Sequence, residues 1–186
     1  IPATWQNIDN SGGGSWAYST TATLDGVAIG TATAANGYAI FNADLLGNDL
    51  TVENADLITP SFSCAGQSVV NLNFQNIFTQ YSIGEGTVAV SVNNGVTWTT
   101  VFTVGSALAS GASNGNPDVQ SINISAIAGN QANVKLRFKY TGDWDYWWIV
   151  DDISVVAPAA NDVAITNGQF AEYSAVPLTQ VVPYSP

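Results

Sequence analysis

The sequence predicts an all-β chain folded as a two-sheet jelly-roll β-sandwich, on three observations. Apolar and polar residues alternate with period two through most of the 186 residues. No window long enough for a helix carries a 3.6-residue apolar stripe. Connections rich in Gly, Asn and Ser recur at the spacing of short antiparallel strands.

Taken in order, strands are expected at residues 38–41 and 69–78. A hairpin follows, with strands at 87–92 and 96–102 around Asn93-Asn94-Gly95, whose Asn-Gly pair tolerates the positive φ of a tight turn. Residues 105–117 are a polar loop rich in Gly, Ser and Asn, either a mobile surface loop or the rim of a binding face. A weaker strand is expected at 119–124. Ser125-Ala126-Ile127-Ala128-Gly129 then reads as one helical turn ended by Gly.

The clearest strand covers 134–140. Val134, Leu136, Phe138 and Tyr140 share one face, and Lys135, Arg137 and Lys139 share the other, so one side is core and one is solvent. A last strand is expected at 147–156. Pro158 among small residues marks a boundary, leaving a domain at 1–156. Residues 157–186 are too few for a core of their own. They read as a linker with the opening of a further domain, or as an extended tail, and residues 161–186 resemble the first strands of an immunoglobulin-like adhesion domain.

Composition narrows the function. Fourteen acidic residues against three basic ones give a net charge of −11, which repels a phosphate backbone and speaks against nucleic acid and anionic membrane surfaces. The same excess favours cations, because carboxylates are hard oxygen ligands. With no His and a single Cys, the chain has no His-based triad, no Cys/His zinc site and no internal disulfide. Cys64 reads as a small buried apolar residue. No run is apolar enough to span a bilayer, so no membrane insertion is expected.

The densest candidate segment is residues 142–152, which hold Asp143, Asp145, Asp151 and Asp152 among Trp144, Tyr146, Trp147 and Trp148. If Ile149, Ile153 and Val155 face the core, alternation puts Asp151 there too. A buried carboxylate needs a cation or several donors. Asp151 is therefore a candidate calcium ligand ahead of Asp152, or else a structural acid bonded to loop amides. The Gly-rich loop after Asp9 and the Asn42-Ala43-Asp44 segment are further oxygen sources, or simply turns. Trp144, Tyr146 and Trp147 offer aromatic faces for a sugar, or core packing. An Asp143/Asp145 pair would suit a glycosidase only at a defined carboxyl spacing, which adjacent loop acids do not establish.

One order of short motifs runs through the chain: Ile1-Pro2-Ala3-Thr4-Trp5 through Asp9 to Trp16, Leu57-Ile58-Thr59-Pro60, Val92-Asn93-Asn94-Gly95-Val96-Thr97-Trp98, residues 122–138, and residues 148–155. That order resembles the cleaved-adhesin family, the gingipain-type adhesin modules of Bacteroidetes surface proteins, related to MAM-like and choice-of-anchor domains. The resemblance covers roughly residues 1–156. It implies an extracellular or cell-surface, non-catalytic, calcium-binding jelly roll, exported by type IX secretion as part of a longer chain. Asp9, Asp44 and Asp151 are the calcium ligands it carries over, and the residues themselves add Asp152 as a further candidate. The implied partners are a glycan or protein on a surface and neighbouring domains of the same chain. The alternative is a carbohydrate-binding module attached to a secreted hydrolase.

Overall fold

The computed structural model describes residues 1–47 and 51–157. Twelve strands are present among them: β1 (Gln6–Asp9), β2 (Ala17–Ser19), β3 (Thr23–Leu24), β4 (Val27–Ala28), β5 (Tyr38–Asn42), β6 (Glu53–Ile58), β7 (Asn71–Thr79), β8 (Glu85–Ser91), β9 (Thr99–Val104), β10 (Asp118–Asn123), β11 (Lys135–Gly142) and β12 (Trp147–Val156). One short helix, α1 (Ser125–Ala128), links β10 to β11, where the sequence predicts a helical turn. Two five-stranded antiparallel sheets form, in the orders β1-β6-β11-β8-β9 and β10-β7-β12-β5-β2, with β3 and β4 as a separate hairpin. This is the expected jelly-roll sandwich. The expected tail lies outside the described residues beyond Ala157.

Alternation explains the core. On β11, Leu136, Phe138 and Tyr140 are fully buried between the sheets. They meet Phe41, Phe74, Phe78, Val88, Val90 and Trp148 from the neighbouring and facing strands. Lys135, Arg137 and Lys139 take the outer face, as predicted. There Arg137 lies over Trp98 at 4.7 Å and reaches Asp56 at 3.8 Å, the one salt bridge among the described residues.

Two expectations shift. The hairpin turn has the predicted positive φ at Asn94 and Gly95, but pairing resumes at Thr99 rather than residue 96. The Asn93 side chain accepts the Thr97 N–H at 2.9 Å and the Ser91 hydroxyl accepts the Gly95 N–H at 2.9 Å, which holds the intervening residues in a wider loop. On β12, the register slips between Asp151 and Ser154, and Asp152 takes φ 50°. That bulge exchanges the faces. Trp148 and Val150 point into the sandwich, Trp147 and Ile149 into a second cluster on the outer side, and Ile153 and Val155 point inward again. Asp151 therefore does share a face with Ile149, but not with Ile153.

The outer side of the second sheet is itself covered. Tyr38, Ile40, Ile77, Trp147 and Ile149 are buried there beneath Leu24, Ile29 and Ala34 from residues 19–37. This extra layer shapes the site described next.

Candidate functional site

The loop entering β12 is positioned by one buried acid. Asp145 is only 2% exposed, so its carboxylate must be satisfied by donors. Backbone N–H groups of Tyr81, Gly84 and Tyr146 and the Gln80 side-chain amide all donate to it. These bonds fasten residues 143–146 to residues 80–84. The fastening brings Tyr81, which sequence reasoning missed, against the predicted aromatics. Tyr81 meets Trp144 with centroids 5.3 Å apart at 65°, and Tyr146 at 5.5 Å and 78°; Tyr146 meets Trp147 at 5.3 Å and 62°.

Those rings wall two adjoining concavities that share Tyr146. The smaller, about 160 Å³, is lined by Asp44, Tyr81, Trp144, Asp145 and Tyr146. The larger, about 350 Å³, has Val27, Ile29, Ile77, Tyr146 and Trp147 as apolar surface and Asp25, Thr79, Ser113 and Asn116 as polar groups. Its far wall is the loop read from sequence as mobile or as a rim. Hydrogen bonds hold that loop in place: Gly111 donates to the Gln80 carbonyl at 2.7 Å, and the Asn114 side-chain carbonyl accepts the Phe78 N–H at 2.7 Å. Asn116 ties this loop to the outer layer, accepting the Gly30 N–H and donating to the Ala28 carbonyl, each at 2.7 Å.

Trp144, Tyr146 and Trp147 are thus gathered at one place. They do not form a flat stacking platform. Trp144 is 39% exposed, whereas Trp147 is 6% and Trp148 0% exposed. The tilted rings suit enclosure of a group rather than stacking on an extended flat face.

The acids proposed for calcium behave differently from one another. Asp9 accepts the N–H groups of Ser11, Gly12 and Gly14 at 3.0, 2.7 and 3.0 Å. These amides, that of Ser11 foremost, hold its carboxyl below the usual carboxylate range. It is a turn former. Asp44 is exposed beside the aromatic pocket, its N–H bonded to the Tyr146 carbonyl at 3.1 Å. Asp151 is buried under the outer layer and accepts the Thr31 hydroxyl at 2.7 Å and the Asp152 N–H at 2.8 Å. Asp152 accepts the Thr33 hydroxyl at 2.6 Å with one oxygen, while its Oδ2 is buried without a hydrogen-bond partner. Only Asp151 and Asp152 adjoin. Among the described residues no three His, Cys, Asp or Glu side chains form a group that could hold a metal ion.

The remaining reactive groups are quiet. Burial, with the carboxylates of Asp145, Glu53 and Asp143 adding to it, pushes the Tyr140 hydroxyl far above its ordinary range, so it stays neutral. Burial likewise pushes the Cys64 thiol up, in keeping with a packing role. Asp145 accepts N–H donors at both carboxylate oxygens, which accounts for its burial. Among the described residues no helix is long and apolar enough to cross a membrane.

No protein-family model matches this chain, and no curated protein matches it. Solved structures do. The K1 cleaved adhesin domain of Lys-gingipain from Porphyromonas gingivalis W83 aligns with 86% of this chain and 94% of its own, at 16% identity and a TM-score of 0.57. The K3 cleaved adhesin domain of the same protein aligns over 84% and 92%, at 16% identity and 0.55. TmCBM61, determined in complex with β-1,4-galactotriose, aligns over 83% and 89%, at 12% identity and 0.53. At these identities the likeness establishes a shared fold, the one common to cleaved adhesin domains and to TmCBM61.

Proposed function

We propose that this chain is a non-catalytic extracellular recognition module that binds a saccharide in the cleft over Tyr146 and Trp147. The observation carrying this reading is the cleft itself, about 350 Å³, with an aromatic and aliphatic surface and a few polar groups converging on it. Apolar surface of that kind meets the C–H face of a sugar ring, and Asp25 and Thr79 are placed for its hydroxyls, while Ser113 and Asn116 hold the rim through their bonds to backbone groups. A concave cleft of this size favours an oligosaccharide over a protein partner, which needs a broad face of about 800 Å² on each side. The fold shared with a galactotriose-bound module and with adhesin domains supports the same reading.

Glycan-array screening followed by calorimetry tests it. Tyr146→Ala should weaken any saccharide hit roughly tenfold by removing an aromatic wall, while leaving the fold intact by circular dichroism. A hit insensitive to Tyr146→Ala would place binding elsewhere.

Calcium stabilisation belongs to the same reading. It rests on the net charge of −11 and on the Asp151–Asp152 pair, where the partnerless Asp152 Oδ2 is an oxygen a hard cation would satisfy. Millimolar calcium should raise the melting temperature above that in chelator, and Asp152→Asn should remove the rise. Coincident melting curves would leave both residues as structural acids held by Thr31 and Thr33.

A further inference from the structure

The smaller pocket differs in chemistry from the saccharide cleft beside it. Tyr81 stands at 65° to Trp144 and at 78° to Tyr146, and the three rings line a space of about 160 Å³ with Asp44 and Asp145. Aromatic rings carry a negative π face, and such faces attract cations, more strongly where water is displaced. Asp145 is engaged by four N–H donors, so the free charge at the mouth is the exposed Asp44 carboxylate. All three basic side chains of the protein lie on β11, in the other sheet and facing out of it. No cationic side chain lines the pocket to compete for it.

We propose that this pocket is an organic-cation site that takes a quaternary ammonium group. A methylated ammonium sheds water readily and spreads its charge over a surface that tilted rings can enclose, whereas a bare ammonium holds its hydration shell. The acids around the pocket and the net charge of −11 repel a phosphate, so the ligand is a free choline-like or methyl-lysine-like cation rather than a phosphocholine headgroup. Tyr146 lines both sites, but Tyr81, Trp144 and Asp44 do not line the saccharide cleft, so variants at those three positions test this pocket apart from it.

The test is titration of the full chain with tetramethylammonium, choline, phosphocholine and the neutral choline isostere 3,3-dimethylbutanol, followed by tryptophan fluorescence and calorimetry. Tetramethylammonium and choline should bind saturably in the millimolar range, and the isostere roughly tenfold more weakly. Trp144→Ala should abolish binding, Trp144→Phe should retain most of it, and Asp44→Asn should weaken it several-fold with a smaller dependence on salt. Trp144 is exposed, so its loss leaves the fold intact, which the melting temperature checks. Equal binding of the neutral isostere, unchanged binding in Trp144→Ala, tighter binding of phosphocholine than of choline, or no saturable binding would each overturn the assignment.

Discussion

Trp148→Ala should cost about 4 kcal/mol of stability, the largest effect of any single truncation expected here. Trp148 is 0% exposed. Its ring lies 5.3 Å from that of Trp16 and 6.3 Å from those of Phe78 and Phe138, so it touches both sheets at once. Its indole N–H also donates to the buried Asn76 side chain at 3.4 Å. The ring fits only because β8 carries Gly86 beneath it, where a Cβ would come within 2.8 Å of the indole. Close packing on every side leaves the neighbours little room to collapse into the gap, so the cavity penalty adds to the lost burial. For a chain of this size the loss corresponds to a drop of roughly 8–16 °C in melting temperature. Gly86→Ala should destabilise through the opposite fault, overpacking against the same ring, by about 1–3 kcal/mol. A Trp148→Ala protein that melts within a degree or two of the parent would remove Trp148 from the centre of the sandwich.

The alternation that predicts β7, β8 and β11 works because each has one face in the sandwich with apolar residues at nearly every second position: Leu72, Phe74 and Phe78; Val88 and Val90; Leu136, Phe138 and Tyr140. It fails where that condition fails. Gln6–Asp9 of β1 is exposed at all four positions, so this edge strand has no apolar face to reveal it. In β6, Glu-Asn-Ala-Asp-Leu-Ile hides its pattern because the acidic Glu53 is buried in line with Ala55 and Leu57, and the apolar Ile58 shares the other face with Asp56. The site divides in the same way. Trp144, Tyr146 and Trp147 are sequence neighbours, and their grouping was legible. Tyr81 is brought to them by hydrogen bonds between two loops that periodicity does not connect. Counting alternation through residues 151–154 puts Asp151 on the face of Ile153, and a bulge there interrupts the count. From sequence Asp145 is one loop acid among several, because nothing in its neighbourhood distinguishes a solvated carboxylate from one that four donors enclose.

That enclosure makes Asp145 the point where stability and binding meet. Asp145→Ala should cost on the order of 3 kcal/mol, because it leaves the N–H groups of Tyr81 and Gly84 and the Gln80 amide without their shared acceptor in a buried place. The effect should be local in origin. Residues 80–84 and 143–146 lose their common anchor, and the Tyr81, Trp144 and Tyr146 rings lose their fixed angles. Affinity for either ligand should therefore fall more steeply in Asp145→Ala than in variants of the polar rim such as Ser113→Ala, even at temperatures where the protein remains folded. Asp145→Asn preserves the shape and one acceptor oxygen but turns the other into a donor facing N–H groups, so it should recover little of the loss. Hydrogen exchange at the Tyr81 and Gly84 amides reports this directly. Both should be protected in the parent and exchange quickly in the two variants, while the amides of β11 stay protected. Unchanged exchange at Tyr81 and Gly84 in Asp145→Ala would show that the loops hold each other without the carboxylate.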